Sequence, residues 1–138
     1  MSRPKIGIVD DEAAMRDALV ALLADNQFDP VPLANIAEYH AAEANTALDL
    51  VLIDLQLRDE SGLTLAMDIR RTRDLPIVML TGRGDETDKI VGLEIAADDY
   101  ILKPFNPREL VARIRAVLRR YGKSDERPMA AIDPSRVP

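Results

Sequence analysis

The sequence predicts an α/β protein with a doubly wound parallel sheet of five strands, covered by helices on both faces. Short apolar runs recur five times along the chain, each run is followed by a segment with helical periodicity, and the lengths suit one strand and one helix each time. Strands and helices that alternate at these lengths require right-handed crossovers, which make neighbouring strands parallel.

The first half of the chain supplies two strands and two helices. The run Lys5-Ile-Gly-Ile-Val predicts a buried strand at 5–10, and the helical period after it predicts a helix at about 12–26. Its predicted apolar face, which should pack on the sheet, consists of Met15, Ala18, Leu19, Leu22 and Leu23. The same rhythm predicts a strand near 29–33 and a helix at about 35–46.

The second half repeats this alternation three times. The run Leu48-Asp-Leu-Val-Leu-Ile predicts a strand at 49–54, because a short continuous apolar run is typical of a strand buried on both faces. The remaining predicted elements are helix 61–72, strand 76–80, helix 86–96, strand 99–103 and helix 106–121.

The composition fits one globular domain. The chain has 138 residues, of which 47% are hydrophobic and 30% are charged, so it can fill one core. It contains no cysteine, which excludes disulfides, thiol nucleophiles and cysteine-ligated zinc. The apolar stretch near the N-terminus is too short for a signal peptide or a membrane span, so we expect a cytoplasmic protein with no membrane partner.

The chain is expected to divide into a domain at 1–121 and a linker or disordered tail at 122–138. After Arg120 the sequence has three prolines, one glycine and no sustained period. The net charge of −6 disfavours nonspecific binding to nucleic acid. Any contact with DNA is therefore expected to come from another domain, absent from this chain, to which the tail would lead.

Three aspartates follow two of the predicted strands. Asp10 and Asp11 close the first apolar run, and Asp54 closes the run at 49–54. The carboxyl ends of parallel strands meet at one edge of a sheet, so these carboxylates should lie together. Close pairs of anions repel by roughly 4 kcal/mol at an effective dielectric of about 20, so the site requires a cation. Hard oxygen ligands in this small number favour Mg²⁺ over zinc.

The same edge of the sheet carries groups suited to phosphate chemistry. Asp54 stands alone at its strand end and is the expected nucleophile, able to form an aspartyl phosphate. Thr81 and Lys103 follow two further strands and offer a hydroxyl and an ammonium to a phosphoryl group, for which Gly82 leaves room. A cis bond between Lys103 and Pro104 would aim the lysine into the site.

Each of these residues also has a purely structural interpretation. Asp11 can cap the first helix, and the others can be ordinary residues of loops and turns. Taken singly, these interpretations are at least as good as the functional one. Four such residues at one edge of one sheet favour the functional interpretation.

With these motifs the chain resembles a response-regulator receiver domain of a two-component system, over residues 4–121. The resemblance rests on four stretches: Ile8-Val-Asp-Asp-Glu12, Leu52-Ile-Asp-Leu55 with Gly62, Val78-Met-Leu-Thr-Gly82, and Ala97-Asp-Asp-Tyr-Ile-Leu-Lys-Pro-Phe105. It implies a flavodoxin-like (βα)5 fold with strand order 2-1-3-4-5.

The resemblance also implies a role for each matching residue. Asp54 would be phosphorylated, with Thr81 and Lys103 in contact with the phosphoryl group. Tyr100 would be an aromatic switch that turns inward when Thr81 moves toward the phosphate. The implied Mg²⁺ ligands are Asp11, Asp54, the Gln56 main-chain carbonyl and, through water, Asp10.

The last third of the chain resembles more narrowly the OmpR/PhoB subfamily, whose receivers usually precede a winged-helix DNA-binding domain. Those receivers pair through the surface that corresponds here to helix 86–96, strand 99–103 and helix 106–121. The implied pairs set Lys89, Glu94 and Asp99 against Glu109, Arg115 and Arg113 of a second copy, around an apolar patch of Ile90, Leu93 and Val111. Alternatively, Glu109 and Arg113 are four residues apart and can pair within one helix.

Two positions depart from the family pattern. Arg58 replaces the common proline after the phosphoacceptor strand, which leaves the shape of the loop at 55–61 open. Ala96 replaces a glycine at the end of helix 86–96, where we expect a left-handed residue, so Ala96→Gly should be neutral or stabilising.

Three further interpretations concern the roles of other side chains. Gln56 and Arg83 lie two residues beyond Asp54 and Thr81, from where they can tune the lifetime of the phosphate; the alternative is that both point into solvent. We interpret His40 as a surface residue. The arginine cluster is interpreted as a solvated helix face rather than a nucleic-acid stripe, and it consists of Arg113, Arg115, Arg119 and Arg120.

Together these observations predict a signalling switch rather than an enzyme. A sensor histidine kinase would supply the phosphoryl group to Asp54, and phosphorylation would favour a homodimer and control transcription. One rival is a Mg²⁺-dependent phosphohydrolase, which would need an acid where this chain has Gln56. A second rival is a receiver-like interaction domain that works without phosphate.

Overall fold

The computed structural model describes residues 2–82 and 96–122. The strands of the main sheet are β1 (Lys5–Val9), β2 (Asp29–Leu33), β3 (Leu50–Asp54), β4 (Ile77–Thr81) and β5 (Asp99–Leu102). The helices that lie wholly within the described residues are α1 (Ala13–Asp25), α2 (Ile36–Asn45), α3 (Gly62–Thr72) and α4 (Pro107–Arg120). A small antiparallel hairpin of Gln56–Leu57 and Glu60–Ser61 precedes α3.

The main sheet is parallel throughout, and its strand order is β2-β1-β3-β4-β5. Both the predicted fold class and the predicted strand order are therefore confirmed. The register pairs Val9 with Ile53 and Asp54 with Leu80. Because the strands are parallel, the residues that follow β1, β3 and β4 come together at one edge of the sheet.

Two apolar layers cover the sheet, one on each face. The side chains of β3 alternate between them, since Val51 and Ile53 belong to the layer that α2 and α3 complete, whereas Leu50 and Leu52 belong to the layer of α1 and α4. All residues of β3 are buried, as expected for the central strand of a sheet covered on both faces. Because β3 is buried on both of its faces, the position of Asp54 at its end is fixed by packing.

The predicted boundaries agree closely with the structure. Every predicted strand and helix within the described residues differs from the observed one by at most one residue at either end. The predicted helix 86–96 lies outside the described residues except for Ala96, and the predicted tail lies outside them except for Gly122.

Two local expectations, on Ala18 and Ala96, are wrong, and the structure defines one loop whose shape was left open. Ala18 is exposed, because it lies about 100° around the helix from Leu19, which is buried together with Leu23. The loop at 55–61 contains the small hairpin, which was not predicted. Ala96 is helical and only 2% exposed, so the expected left-handed cap does not form there.

Side-chain caps fix the starts of three helices. The Asn35 side chain accepts the Glu38 N–H at the start of α2, and the Ser61 hydroxyl accepts the Thr64 N–H at the start of α3. Asn106 accepts two N–H groups of α4, whose first residue is Pro107. None of the helices in the described part of the chain is long and apolar enough to cross a membrane.

Candidate functional site

The three predicted aspartates meet at the carboxyl edge of the sheet. Asp10 and Asp11 follow β1, Asp54 is the last residue of β3, and one carboxylate oxygen from each lies within 4.8 Å of the others. Asp10 and Asp54 are 1% and 5% exposed, while Asp11 is half-buried at the rim. The edge of the sheet therefore carries a compact anionic site.

Asp10 lies deepest in this site. Its Oδ1 accepts the Glu12 main-chain N–H at 2.9 Å, while its buried Oδ2 has no hydrogen-bond partner among the described residues. Burial raises the pKa of Asp10 to about 6; the Glu12 hydrogen bond opposes this shift, and the charge of Asp54 adds to it. An unpartnered buried carboxylate oxygen is suited to a cation or an ordered water.

Asp54 is bound on both carboxylate oxygens. Its Oδ1 accepts the Gln56 main-chain N–H at 3.1 Å, and its Oδ2 lies 3.2 Å from the Lys103 ammonium. The main-chain N–H of Lys103 donates in turn to the Thr81 carbonyl at 2.6 Å. The Lys103–Pro104 bond is cis, as expected. Lys103 thus brings a positive charge directly to the carboxylate of Asp54.

Thr81 ends β4 at the same edge and is 2% exposed. Its neighbour Gly82 was expected to leave room for a phosphate. A Cβ built on Gly82 would meet no atom of residues 2–82 and 96–122 within 4 Å, so these residues leave room at this point.

Asp11 does not cap the first helix. The N-cap residue of α1 is Glu12, which makes no side-chain cap, and the Asp11 carboxylate turns to the hairpin instead. Its Oδ2 accepts the Arg58 main-chain N–H at 2.7 Å and lies 3.8 Å from Nε of the same arginine. The capping alternative for Asp11 is therefore wrong, and Asp11 remains a member of the acidic site.

Two residues contribute in ways that the sequence did not reveal. A Cβ on Gly62 would lie 2.1 Å from the main-chain oxygen of Asp54, so only glycine lets α3 begin this close to β3. Gly62 was recognised only as part of a motif. Arg58 was recognised only as a departure from proline, and its contact with Asp11 was not foreseen.

The acidic site has the chemistry that Mg²⁺ requires. Three carboxylates supply hard oxygen ligands, and one of them has a buried oxygen that no described residue binds. Lys103 offsets part of the negative charge but not all of it. Asp10, Asp11 and Asp54 are therefore the residues that would hold a small divalent cation.

Of the residues predicted to act as the switch or to tune phosphate lifetime, some lie within the described residues and others do not. Tyr100 is 38% exposed on β5, and Gln56 is exposed in the hairpin. The other predicted residue for phosphate lifetime, Arg83, lies outside the described residues. So do four residues of the predicted dimer surface, namely Lys89, Ile90, Leu93 and Glu94.

The described residues of the predicted dimer surface are occupied within the chain. Arg113 contacts Glu109 at 2.9 Å, which is the pairing foreseen as the alternative to a dimer contact, and it also contacts Asp99 of the same chain at 3.0 Å, which was not foreseen. The hydrogen bond to Glu109, followed by the one to Asp99, raises the pKa of the Arg113 guanidinium. Val111 is 4% exposed and belongs to the core, so it cannot contribute to an exposed apolar patch in this structure.

Arg115 lies on another side of α4. Its guanidinium donates to the Asn26 carbonyl at 3.1 Å and lies over the Phe28 ring, 5.7 Å from the ring centroid. Residues 113 and 115 are about 200° apart around a helix. The pairing of Arg115 with Glu94 of a second copy stays a prediction, since Glu94 lies outside the described residues.

The two remaining interpretations concern surface residues. His40 is exposed, and its Nδ1 lies 4.0 Å from the Glu43 carboxylate, which confirms that it is a surface residue. Arg119 and Arg120 are exposed, and Arg120 donates to the Asp98 carbonyl at 3.3 Å. Arg113 and Arg115 are bound within the chain and lie on opposite sides of α4, so the four arginines do not form a single helix face.

The fold and its carboxyl-edge site define a receiver domain, and solved structures of that class match over most of the chain. A receiver domain from Methanospirillum hungatei superposes with a TM-score of 0.82 at 31% identity, covering 88% of this chain and 98% of its own. The receiver domain of the TMAO respiratory response regulator TorR superposes with a TM-score of 0.79 at 38% identity, and the match covers 85% of this chain and 98% of that one.

Sequence comparison identifies the family. The profile described as "Response regulator receiver domain" matches residues 6–115, and the chain belongs to this family. The phosphate regulon transcriptional regulatory protein PhoB of Pseudomonas aeruginosa is 47% identical over 121 residues, which are 86% of this chain and 53% of that protein. The transcriptional regulatory protein BaeR of Escherichia coli is 44% identical over 117 residues, 85% of this chain.

These relatives confirm the predicted family and its OmpR/PhoB-type relationship. The chain spans about half the length of the curated relatives that it matches.

Proposed function

We propose that the chain is a Mg²⁺-dependent phosphoacceptor switch in which Asp54 receives a phosphoryl group from a sensor histidine kinase. The observation that carries this proposal is the contact of Lys103 with Asp54, 3.2 Å apart, beside the carboxylates of Asp10 and Asp11. A carboxylate that is held between a lysine and a candidate metal site is arranged for phosphoryl transfer. Membership of the receiver family supports the same conclusion.

The transfer would proceed by in-line displacement at phosphorus. A carboxylate oxygen of Asp54 forms the new P–O bond as the P–N bond to the kinase histidine breaks, and the imidazole leaves with the bonding electron pair and takes up a proton. Bound Mg²⁺ would neutralise charge on the phosphoryl oxygens. Lys103 would shift from the Asp54 oxygen to a phosphoryl oxygen, and the Thr81 hydroxyl would donate to another.

A separate hydrolysis step restores the free carboxylate. Water attacks phosphorus, the P–O bond to Asp54 breaks, and inorganic phosphate leaves. Gln56 and Arg83 are proposed to tune the rate of this step from positions two residues beyond Asp54 and Thr81. Replacing each by alanine and timing dephosphorylation tests this role, and two unchanged half-lives would refute it.

The output is proposed to be conformational. Phosphorylation adds negative charge and acceptor oxygens, which would draw Thr81 inward and let the exposed Tyr100 ring follow. The surface around β5 and α4 would then favour a homodimer, in which Arg113 exchanges its contacts with Asp99 and Glu109 for those of a second copy. The curated relatives are named as transcriptional regulators, so we propose that the rest of the protein contains a DNA-binding domain.

Intact mass measurement tests the central proposal. After incubation with acetyl phosphate and MgCl₂, the chain should gain one adduct of about 80 Da that maps to Asp54. Asp54→Ala should abolish the adduct, whereas Asp59→Ala, which removes an exposed carboxylate in the neighbouring hairpin, should keep it. An adduct that persists in Asp54→Ala, or that never forms in the unmodified chain, would refute the proposal.

A further inference from the structure

We propose that Arg58 lowers the affinity of the acidic site for Mg²⁺ by holding Asp11 in the metal-free protein. The inference rests on the proposed function, because it concerns the metal that the site would bind. It assigns a positioning role to a residue outside the carboxylate set, one that acts on the metal through Asp11.

Arg58 contacts one oxygen of Asp11 in two ways. Its main-chain N–H donates to Oδ2 at 2.7 Å, and its side-chain Nε lies 3.8 Å from the same atom. The guanidinium is 79% exposed, whereas the side chain of Asp11 is 25% exposed. Arg58 thus lies over the solvent side of a carboxylate whose other neighbours are Asp10 and Asp54.

Both contacts oppose the binding of a cation at Asp11. A hydrogen bond draws electron density from the oxygen that would coordinate the metal, and the guanidinium repels a divalent ion a few Å away. Arg58 and Lys103 each place a positive group on one carboxylate of the site, Asp11 and Asp54 respectively. A cation that binds there must compete with both.

The surroundings allow the guanidinium to leave. An open cleft of about 370 Å³ lies beside Asp11, lined also by Asn35, Leu57, Arg58, Asp59 and Glu60. The side chain of Arg58 can therefore move away from Asp11 without displacing the core. The main-chain N–H of Arg58 cannot move away from Asp11 as easily, because the hairpin pairs Gln56 with Ser61 and Leu57 with Glu60 on either side of the turn.

Substitutions at Arg58 separate the two contacts. Arg58→Ala removes the guanidinium and keeps the main-chain N–H, while Arg58→Lys keeps a positive charge and the N–H. Arg58→Pro removes both contacts, because proline has no N–H. Arg3→Ala is the matched control, since Arg3 is an arginine that donates to the Ala24 carbonyl and precedes β1, at the other end of that strand from Asp10 and Asp11.

Calorimetric titration of each 138-residue variant with MgCl₂ at low and high KCl tests the inference. We expect Arg58→Ala to bind Mg²⁺ about threefold more tightly at low salt, with the gain shrinking at high salt because the effect is electrostatic. Arg58→Pro should bind about tenfold more tightly and keep part of its gain at high salt, because a lost hydrogen bond is not screened. Arg58→Lys and Arg3→Ala should stay close to the unmodified chain.

The outcomes distinguish this inference from the proposed function. If the unmodified chain binds Mg²⁺ and Arg58→Ala binds with the same or lower affinity, the inference is overturned and the proposed function stands. If the unmodified chain binds no Mg²⁺, the proposed function fails first. Circular dichroism checks the fold of Arg58→Pro. If that variant does not fold, the Mg²⁺ affinities of Arg58→Ala and Arg58→Lys at low and high KCl still test the inference.

Discussion

The charge of Asp10 is the least favourable one in the acidic site. Its carboxyl is 1% exposed, and its folded pKa of about 6 lies above the ordinary value of 3.8, mainly because of burial. The folded state therefore holds this proton more tightly than the unfolded state, and stability is lost as the pH rises from about 4 to about 6. The full cost in metal-free solution is on the order of 2–3 kcal/mol above that range.

Asp10→Asn should remove most of this cost. We expect the free energy of unfolding of the metal-free chain to rise by about 2 kcal/mol near pH 7.5 and to change much less near pH 4, where the folded carboxyl is protonated and the unfolded one is about half protonated. Urea denaturation in EDTA at both pH values measures this. Asp17→Asn, at an exposed position of α1, is the control. An equal gain at both pH values would contradict the electrostatic explanation.

Gly62 and Gly82 form a matched pair at the same edge of the sheet. A Cβ at Gly62 would lie 2.1 Å from the Asp54 main-chain oxygen, whereas a Cβ at Gly82 would meet no atom of the described residues within 4 Å. We expect Gly62→Ala to cost about 3 kcal/mol of unfolding free energy, because the backbone must move, and Gly82→Ala to cost less than about 0.5 kcal/mol. Chemical denaturation of both variants measures the difference, and equal stabilities would refute the steric argument.

Ala96 shows how a family pattern can mislead at a single residue. The absent glycine predicted a left-handed cap, but Ala96 is helical, packs in the core and accepts the Arg70 Nε–H on its carbonyl at 3.1 Å. We now expect Ala96→Gly to lower the unfolding free energy by about 1–2 kcal/mol, since it adds backbone freedom in a helix and removes a buried methyl. A thermal melt that shows no loss would restore the earlier interpretation.

A half-buried cluster of side chains ties the helices α3 and α4 to the sheet. Asp98 accepts Arg70 at 2.7 Å, the Tyr121 hydroxyl at 2.7 Å and the Ile77 main-chain N–H at 2.8 Å. Burial, followed by the hydrogen bond to Asp98, raises the pKa of Tyr121. One carboxylate therefore fixes the end of α4 against the start of β4.

Tyr121→Phe should loosen this cluster. We expect it to lower the unfolding free energy by about 1 kcal/mol, because Asp98 loses one of its donors in a half-buried setting. The control is Tyr100→Phe, whose ring is 38% exposed and whose change in stability should be small. Both values come from urea denaturation near neutral pH, and a neutral Tyr121→Phe would show that water replaces the hydroxyl at no cost.

The elements themselves were predictable, whereas the contacts between distant ones were not. Alternating apolar runs and helical periods are local signals, and they located each described strand and helix to within one residue. The contact of Arg58 with Asp11 joins positions 47 residues apart, and that of Asp98 with Tyr121 joins positions 23 apart. Neither pairing has a local signature, so only the packed structure reveals it.

The topology of the parallel sheet explains why the acidic site could be predicted from the sequence. Parallel strands bring their carboxyl ends to one edge, so aspartates at the ends of β1 and β3 must meet whatever the helices between them contain. The sequence could not indicate which carboxylate oxygens were already bound. The free Oδ2 of Asp10, the lysine on Asp54 and the arginine on Asp11 depend on the geometry of loops from separate parts of the chain.

Binding of Mg²⁺ at this edge should stabilise the whole molecule, because β1 and β3 are central strands of the cooperative sheet. A ligand that binds only the folded state at 100 times its dissociation constant adds about 2.7 kcal/mol. For a domain of this size we expect saturating MgCl₂ to raise the melting temperature by roughly 10 °C. Differential scanning calorimetry with and without MgCl₂, at constant ionic strength, measures the shift.

The variants for this measurement separate the site from general salt effects. Asp54→Asn and Asp11→Asn each remove one ligand charge, so the rise produced by Mg²⁺ should fall to a third or less of its size in the unmodified chain, about 3 °C. Asp59→Asn changes an exposed carboxylate near the cleft and should leave the rise intact. An equal rise in Asp54→Asn and the unmodified chain would mean that Mg²⁺ acts elsewhere, and the acidic edge would lose its assignment as the metal site.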